Sequence, residues 1–79
     1  MEDWMANFIQ EMANSVNCIK YLNAIKAMIP LYTDDHDEAI RRFNIMKNVS
    51  IDEMLVMTFD NTIEDGSYYV FITKVDQQN

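Results

Sequence analysis

Between Ser67 and Val75 the chain reads Ser-Tyr-Tyr-Val-Phe-Ile-Thr-Lys-Val, a run so rich in β-branched and aromatic residues that it predicts a strand. That run constrains everything before it. A lone strand leaves its backbone amides and carbonyls without partners, so a second strand has to come from elsewhere in the chain. Immediately upstream, Asp65-Gly66 is a turn signal, and Met54-Leu55-Val56-Met57-Thr58-Phe59 is a short apolar run on its far side. A β-hairpin over 54–75 is therefore expected, with strands near 54–60 and 67–75. One competing reading concerns residues 50–60. Ser50-Ile51-Asp52-Glu53 has the capping-box pattern, and Val49 and Met54 are spaced for a hydrophobic staple, which would make this stretch helical and the fold mostly α. The partner that 67–75 needs decides for the hairpin.

Before residue 48 the period is helical. From Asp3, a candidate N-cap, Met5, Phe8, Ile9, Met12, Val16 and Ile19 recur at three- and four-residue steps. Tyr21, Leu22, Ile25 and Met28 then continue on a rotated face, so 3–29 reads as helical, broken or kinked near Asn14-Ser15 and Asn17. Pro30 ends it. Asp35 followed by Glu38 opens the next helix as a capping box, Ala39, Ile40, Phe43 and Met46 form its apolar face, and Arg41, Arg42 and Lys47 fall in its later turns; it should span 35–47. The predicted fold is α+β: two or three N-terminal helices followed by a C-terminal hairpin, in one domain over 1–79. The tail Asp76-Gln77-Gln78-Asn79 reads as frayed.

A chain of 79 residues has room for one hydrophobic core. Four Tyr, four Phe and one Trp supply large buried areas, and with one Gly and one Pro the chain reads neither as disordered nor as a loop-rich sandwich. The single Cys18 excludes an internal disulfide and a thiolate zinc site, and suits a reducing cytoplasm. The acidic Met1-Glu2-Asp3-Trp4 start is unlike a signal peptide, and no stretch approaches the length of a membrane span.

Charge is unevenly placed. Of the formal net −7, most belongs to residues 33–79, where ten carboxylates face Arg41, Arg42, Lys47 and Lys74. Such a field disfavours direct contact with nucleic acid or an acidic surface and favours basic partners. Tyr68, Tyr69 and Phe71 would suit base stacking, yet stacking platforms sit in positive grooves and this half of the chain is acidic.

Chemistry is absent at the level of motifs. His36 lies among Asp34, Asp35, Asp37 and Glu38, but consecutive residues at a helix start point in different directions, and capping with dipole stabilisation accounts for them without a metal. Cys18 lies among apolar helical positions, where a free thiol packs as a small hydrophobe. No Gly-rich phosphate loop occurs. No cofactor, metal or catalytic residue is expected.

What remains is binding. Both faces of the hairpin are apolar: Leu55, Met57 and Phe59 alternate with Met54 and Val56, and Tyr68, Val70 and Ile72 with Tyr69 and Phe71. A two-layer domain buries one such face and leaves the other wet, so surplus apolar surface marks an interface unless helices cover both faces. The residues expected to meet a partner are acidic (Asp34, Asp35, Asp37, Glu38, Asp52, Glu53, Asp60, Glu64 and Asp65) and apolar (Trp4, Phe8, Tyr21, Val56, Tyr69 and Phe71). The expected function is a non-enzymatic protein-binding module with a basic protein partner. Phage and mobile-element inhibitors of host enzymes, among them anti-CRISPR proteins and acidic DNA mimics, share this general character, an analogy of type carried by no matching motif. The alternative is a homodimeric adaptor or regulator assembled through apolar helix and strand faces.

Overall fold

The computed structural model describes residues 2–75, and the tail 76–79, read above as frayed, lies outside them. The elements run α1 (Asp3–Tyr21), β1 (Lys26–Pro30), α2 (His36–Met46), β2 (Leu55–Glu64) and β3 (Ser67–Lys74). The arrangement is α+β, with an antiparallel sheet in the order β1-β3-β2.

Helix α1 is one continuous helix, without the break expected near Asn14-Ser15 and Asn17. Trp4, Phe8, Met12, Ser15 and Ile19 form a single buried stripe at three- and four-residue steps, and the small Ser15 fits within it. Glu2, not Asp3, occupies the N-cap and makes no side-chain cap bond; Asp3 adds its charge to the first turn. The helix ends eight residues before the predicted stop. Asn23 takes a left-handed conformation, φ 58°, and the amides of Leu22 and Ala24 both donate to the Cys18 carbonyl.

Residues 26–30, read as the end of a helix, form a strand instead. Lys26 and Met28 are exposed while Ile29 is fully buried, a period of two, and Lys26 pairs with Thr73, Met28 with Phe71 and Pro30 with Tyr69. The strand lies at the sheet edge, where a proline at its end is tolerated. The pairing continues through Leu31 N–H to the Tyr68 carbonyl and Tyr68 N–H to the Thr33 carbonyl. The helix-like spacing of Tyr21, Leu22 and Ile25 is a spacing of exposed residues around the α1–β1 connection.

Helix α2 is capped as its sequence predicts, with Asp35 Oδ1 accepting from the Glu38 amide at 2.8 Å. The reciprocal arm of the capping box is missing. Asp35 N–H donates to Thr33 Oγ1, and the Glu38 carboxylate turns forward to Arg41 and Arg42 instead. Those arginines thus serve Glu38 rather than the C-terminal dipole, and no basic residue lies in the last turn.

Strands β2 and β3 form the predicted hairpin. Asp65 and Gly66 both have positive φ, 51° and 74°, the mark of a two-residue type I′ turn whose twist matches the strands. The helical reading of 50–60 is not realised: Asp52 Oδ1 accepts from the Met54 amide, a local turn that feeds β2. A bulge interrupts the ladder between Asp60 and Ile63.

Both helices pack on one face of the sheet. Phe8, Ile19, Ile29, Leu31, Val70 and Ile72 form its fully buried centre, and burying each large side chain stabilises the fold by roughly 1.5–3 kcal/mol. Among the described residues no helix lies on the other side of the hairpin, which was considered above.

Candidate functional site

The fold gathers acidic side chains from separate segments at one end of a molecule 38 Å long. The Tyr68–Thr33 bond ties the loop before α2 to the start of β3. His36 reaches across to the bulge, its Nε2 3.4 Å from Asn61 Oδ1, and its ring meets those of Phe59 and Tyr68 edge-on. Arg41 Nη2 donates to Glu2 Oε1 at 2.8 Å, which brings the start of α1 to the same end. Glu2, Asp34, Asp35, Asp37, Glu38, Asp60, Glu64 and Asp65 are thereby neighbours in space.

Several of these carboxylates serve the fold. Glu38 takes both arginines, and Arg41 first, then Arg42, holds its carboxyl down at about 2. Arg41 lowers Glu2. Asp35 caps α2, and Asp60 accepts from the Thr62 amide within the bulge. Asp37 lies 3.8 Å from His36 Nδ1 with its side chain fully exposed. Asp34, Glu64 and Asp65 are exposed and, among the described residues, have no ion-pair or hydrogen-bond partner. Asp52 and Glu53 do not join this group. They belong to the turn before β2 at the opposite end, where Asp52 is held low first by the Met54 amide and then by Lys20, 3.1 Å away.

Arg42 organises the acidic end, and the reading of the sequence assigned it no such role. Its Nε donates to Glu38, its Nη1 to the carbonyls of Leu31 (2.8 Å) and Tyr32 (3.1 Å), and its guanidinium lies 4.8 Å from the Trp4 ring centroid. It thereby locks the loop 31–35 to α2 and α1, and helps hold Tyr32 at its left-handed φ of 59°. The four-residue Glu38–Arg42 spacing was the available signal.

Of the apolar candidates, Trp4 and Phe8 are core residues, 7% and 0% exposed, and offer nothing to a partner. Their helix turns that stripe onto the sheet. Tyr21 is exposed at the end of α1. Val56, Tyr69 and Phe71 lie on the face of the sheet that carries no helix. Directly paired residues share a face, so this open face consists of Lys26, Met28 and Pro30 on β1, Ser67, Tyr69, Phe71 and Thr73 on β3, and Val56, Thr58, Asp60 and, past the bulge, Glu64 on β2. The Lys26 ammonium sits 4.6 Å from the Phe71 ring centroid. Toward the end of α1 the face runs into an open groove of about 530 Å³ lined in part by Ile25, Val56 and Val75.

Among the described residues, no group of three or more His, Cys, Asp and Glu side chains could hold a metal ion, and no helix is long and apolar enough to cross a membrane. Cys18 is half-buried. No protein-family model, curated protein or solved structure matches this chain.

Proposed function

We propose that this chain is a non-enzymatic protein-binding module that lays its acidic end against a basic surface of another protein, and that it acts as an inhibitor by covering a nucleic-acid-binding surface. One observation carries the reading: the loop before α2, the first turn of α2 and the tip of the β2–β3 hairpin contribute Asp34, Asp37, Glu64 and Asp65 to the same end, and none of the four is held in an ion pair with Lys or Arg among the described residues. Charges that complete a cap or an ion pair need no partner to account for them. These four do little for the fold's own stability and generate a concentrated negative field that speeds encounter with a basic surface.

The test compares the native chain with the variant Asp34→Lys, Asp37→Lys, Glu64→Lys and Asp65→Lys, both immobilised and exposed to extract of the native cell. The reading expects a protein held by the first, released by high salt, not held by the second, and prevented from binding nucleic acid by the free chain. A partner retained equally by both and indifferent to salt would overturn it.

A further inference from the structure

The two outer edges of the sheet are not alike. On the β1 edge stand Lys26 and Pro30, a charge and a residue without an N–H, both of which discourage a further strand. On the β2 edge the stretch from Leu55 to Phe59 carries neither charge nor proline. Apolar exposure gathers there too: Val56 is 41% exposed, Ile63 46%, and Met54, just before the strand, 48%.

Two hydrogen bonds fix which backbone groups point outward. Val75 N–H donates to the Met54 carbonyl on one side of β3, and Leu31 N–H donates to the Tyr68 carbonyl on its other side. Backbone direction alternates along a strand, so Val56, Thr58 and Asp60 turn their amides and carbonyls toward β3, and Leu55, Met57 and Phe59 turn theirs to the outer edge. Leu55 N–H is taken by the Asp52 carbonyl. Among the described residues nothing bonds the outward amides and carbonyls of Met57 and Phe59, or the Leu55 carbonyl.

We infer that this edge takes β2 of a second copy, antiparallel, about a two-fold axis at Met57. Met57 of each copy then exchanges both backbone bonds with Met57 of the other, and Phe59 N–H donates to the Leu55 carbonyl across the seam. Any extended segment satisfies such backbone groups; the side chains select a second copy. Isologous pairing needs a strand that complements itself in reverse, and in this register Leu55 faces Phe59 and Val56 faces Thr58, with Asp60 at the end beside Met54. An axis at Thr58 would instead set Asp60 against Val56 and bring the two Asp60 residues from ~20 Å to ~14 Å apart. The helices leave room, because α2 lies nearer β3 than β2, and Met57 and Phe59 stay half-buried on the core face. The hairpin turns of the two copies point in opposite directions, about 34 Å apart, well beyond the ~8 Å over which charges act at physiological salt. The dimer thus offers the acidic end twice.

Amide hydrogen exchange and sedimentation of the full chain over a concentration series test this. At micromolar concentration the Val56 and Thr58 amides are protected and those of Met57 and Phe59 are not; toward millimolar concentration the second pair becomes protected as the dimer forms. Thr58→Lys, on the open face where it leaves the core untouched, keeps the chain monomeric with an unchanged circular dichroism spectrum. An equimolar mixture of Val56→Cys and Thr58→Cys cross-links on oxidation beyond the baseline that Cys18 gives the native chain, because directly opposed positions of this kind lie ~4.5 Å apart at Cα. Neither variant does so alone. A native chain that stays monomeric at millimolar concentration overturns the inference, as does a dimer whose Met57 and Phe59 amides exchange freely, a dimer indifferent to Thr58→Lys, or cross-linking of Thr58→Cys by itself. Each copy carries −7, so salt tightens the dimer, whereas it releases a basic partner from the acidic end; the two readings therefore fail separately.

Discussion

Replacing Arg42 with Met removes one side chain that spans three segments, and its cost can be worked from its contacts. The side chain is 16% exposed, and its guanidinium donates to Glu38, to the Leu31 carbonyl and to the Tyr32 carbonyl. Hydrogen bonds involving a charged group are worth ~1.5–3 kcal/mol when removed singly, and leaving a buried acceptor unpaired adds to that. Leu31 is fully buried, so its carbonyl has little water to fall back on. Glu38, in contrast, keeps Arg41 and recovers part of its loss. Met still covers the Trp4 ring, so packing is largely preserved. The balance is a loss of about 2–4 kcal/mol, from a domain whose total stability is on the order of 5–10 kcal/mol. Urea unfolding should show a lower midpoint with an unchanged slope, and the melting temperature should fall by roughly 10–25 °C. Arg42→Lys should recover less than half, since an ammonium cannot reach Glu38 and two carbonyls in the fork geometry of a guanidinium. A loss below about 0.5 kcal/mol, within the range of ordinary surface substitutions, would refute the assignment, as would a lysine as good as the arginine.

Acid should destabilise the fold in a defined window. Glu38 is held at about 2 from its ordinary 4.5, chiefly by Arg41 and then Arg42, so its contribution is complete above the ordinary value and is lost as pH falls from there toward 2. Thermal melts should be flat from pH 7 to pH 5 and decline below about 4.5, and Glu38→Gln should lower the plateau and flatten the decline; an unaltered decline in that variant would assign it to Glu2 and Asp52 instead, whose carboxyls are also held low. At the hairpin turn, a Cβ on Gly66 would meet nothing within 4 Å, so Gly66→Ala tests backbone conformation alone. It should cost about 1 kcal/mol in urea unfolding through its φ of 74° and leave the hairpin register intact by NMR.

The hairpin and α2 were legible because their signals are local. A two-residue turn, a β-branched run and a cap three residues from its amide partner all act within short stretches of chain, and each leaves its mark in the sequence. Strand β1 was not legible, for a physical reason. Five residues pair with β3 across about forty intervening positions, and the burial of Ile29 against exposed Met28 depends on that pairing. In sequence, Leu22, Ile25 and Met28 continue the spacing of α1. The residue that separates helix from strand is Asn23, whose tolerance of a left-handed conformation is a weak signal beside three apolar residues at helical steps. Tertiary pairing overrides local periodicity here.

The same reasoning explains why the candidate surfaces were half legible. Charge is counted in the sequence, but whether a carboxylate is engaged depends on what faces it. Asp52 looked identical to Asp34 until the fold set Lys20 beside it, and Glu38 looked available until two arginines closed on it. Apolar residues behave alike: Phe8 and Phe71 are both aromatic residues in apolar patterns, yet one fills the core and the other faces away from both helices. Because β1 is a strand rather than helix, the chain has a wider sheet and one fewer helical segment to cover it. The misread segment thus increases the surplus apolar surface instead of removing it, and it does so by placing Met28 and Lys26 beside Phe71. An interface on this molecule is accordingly better sought on the sheet and at the acidic end than along α1, whose apolar stripe is already committed to the core.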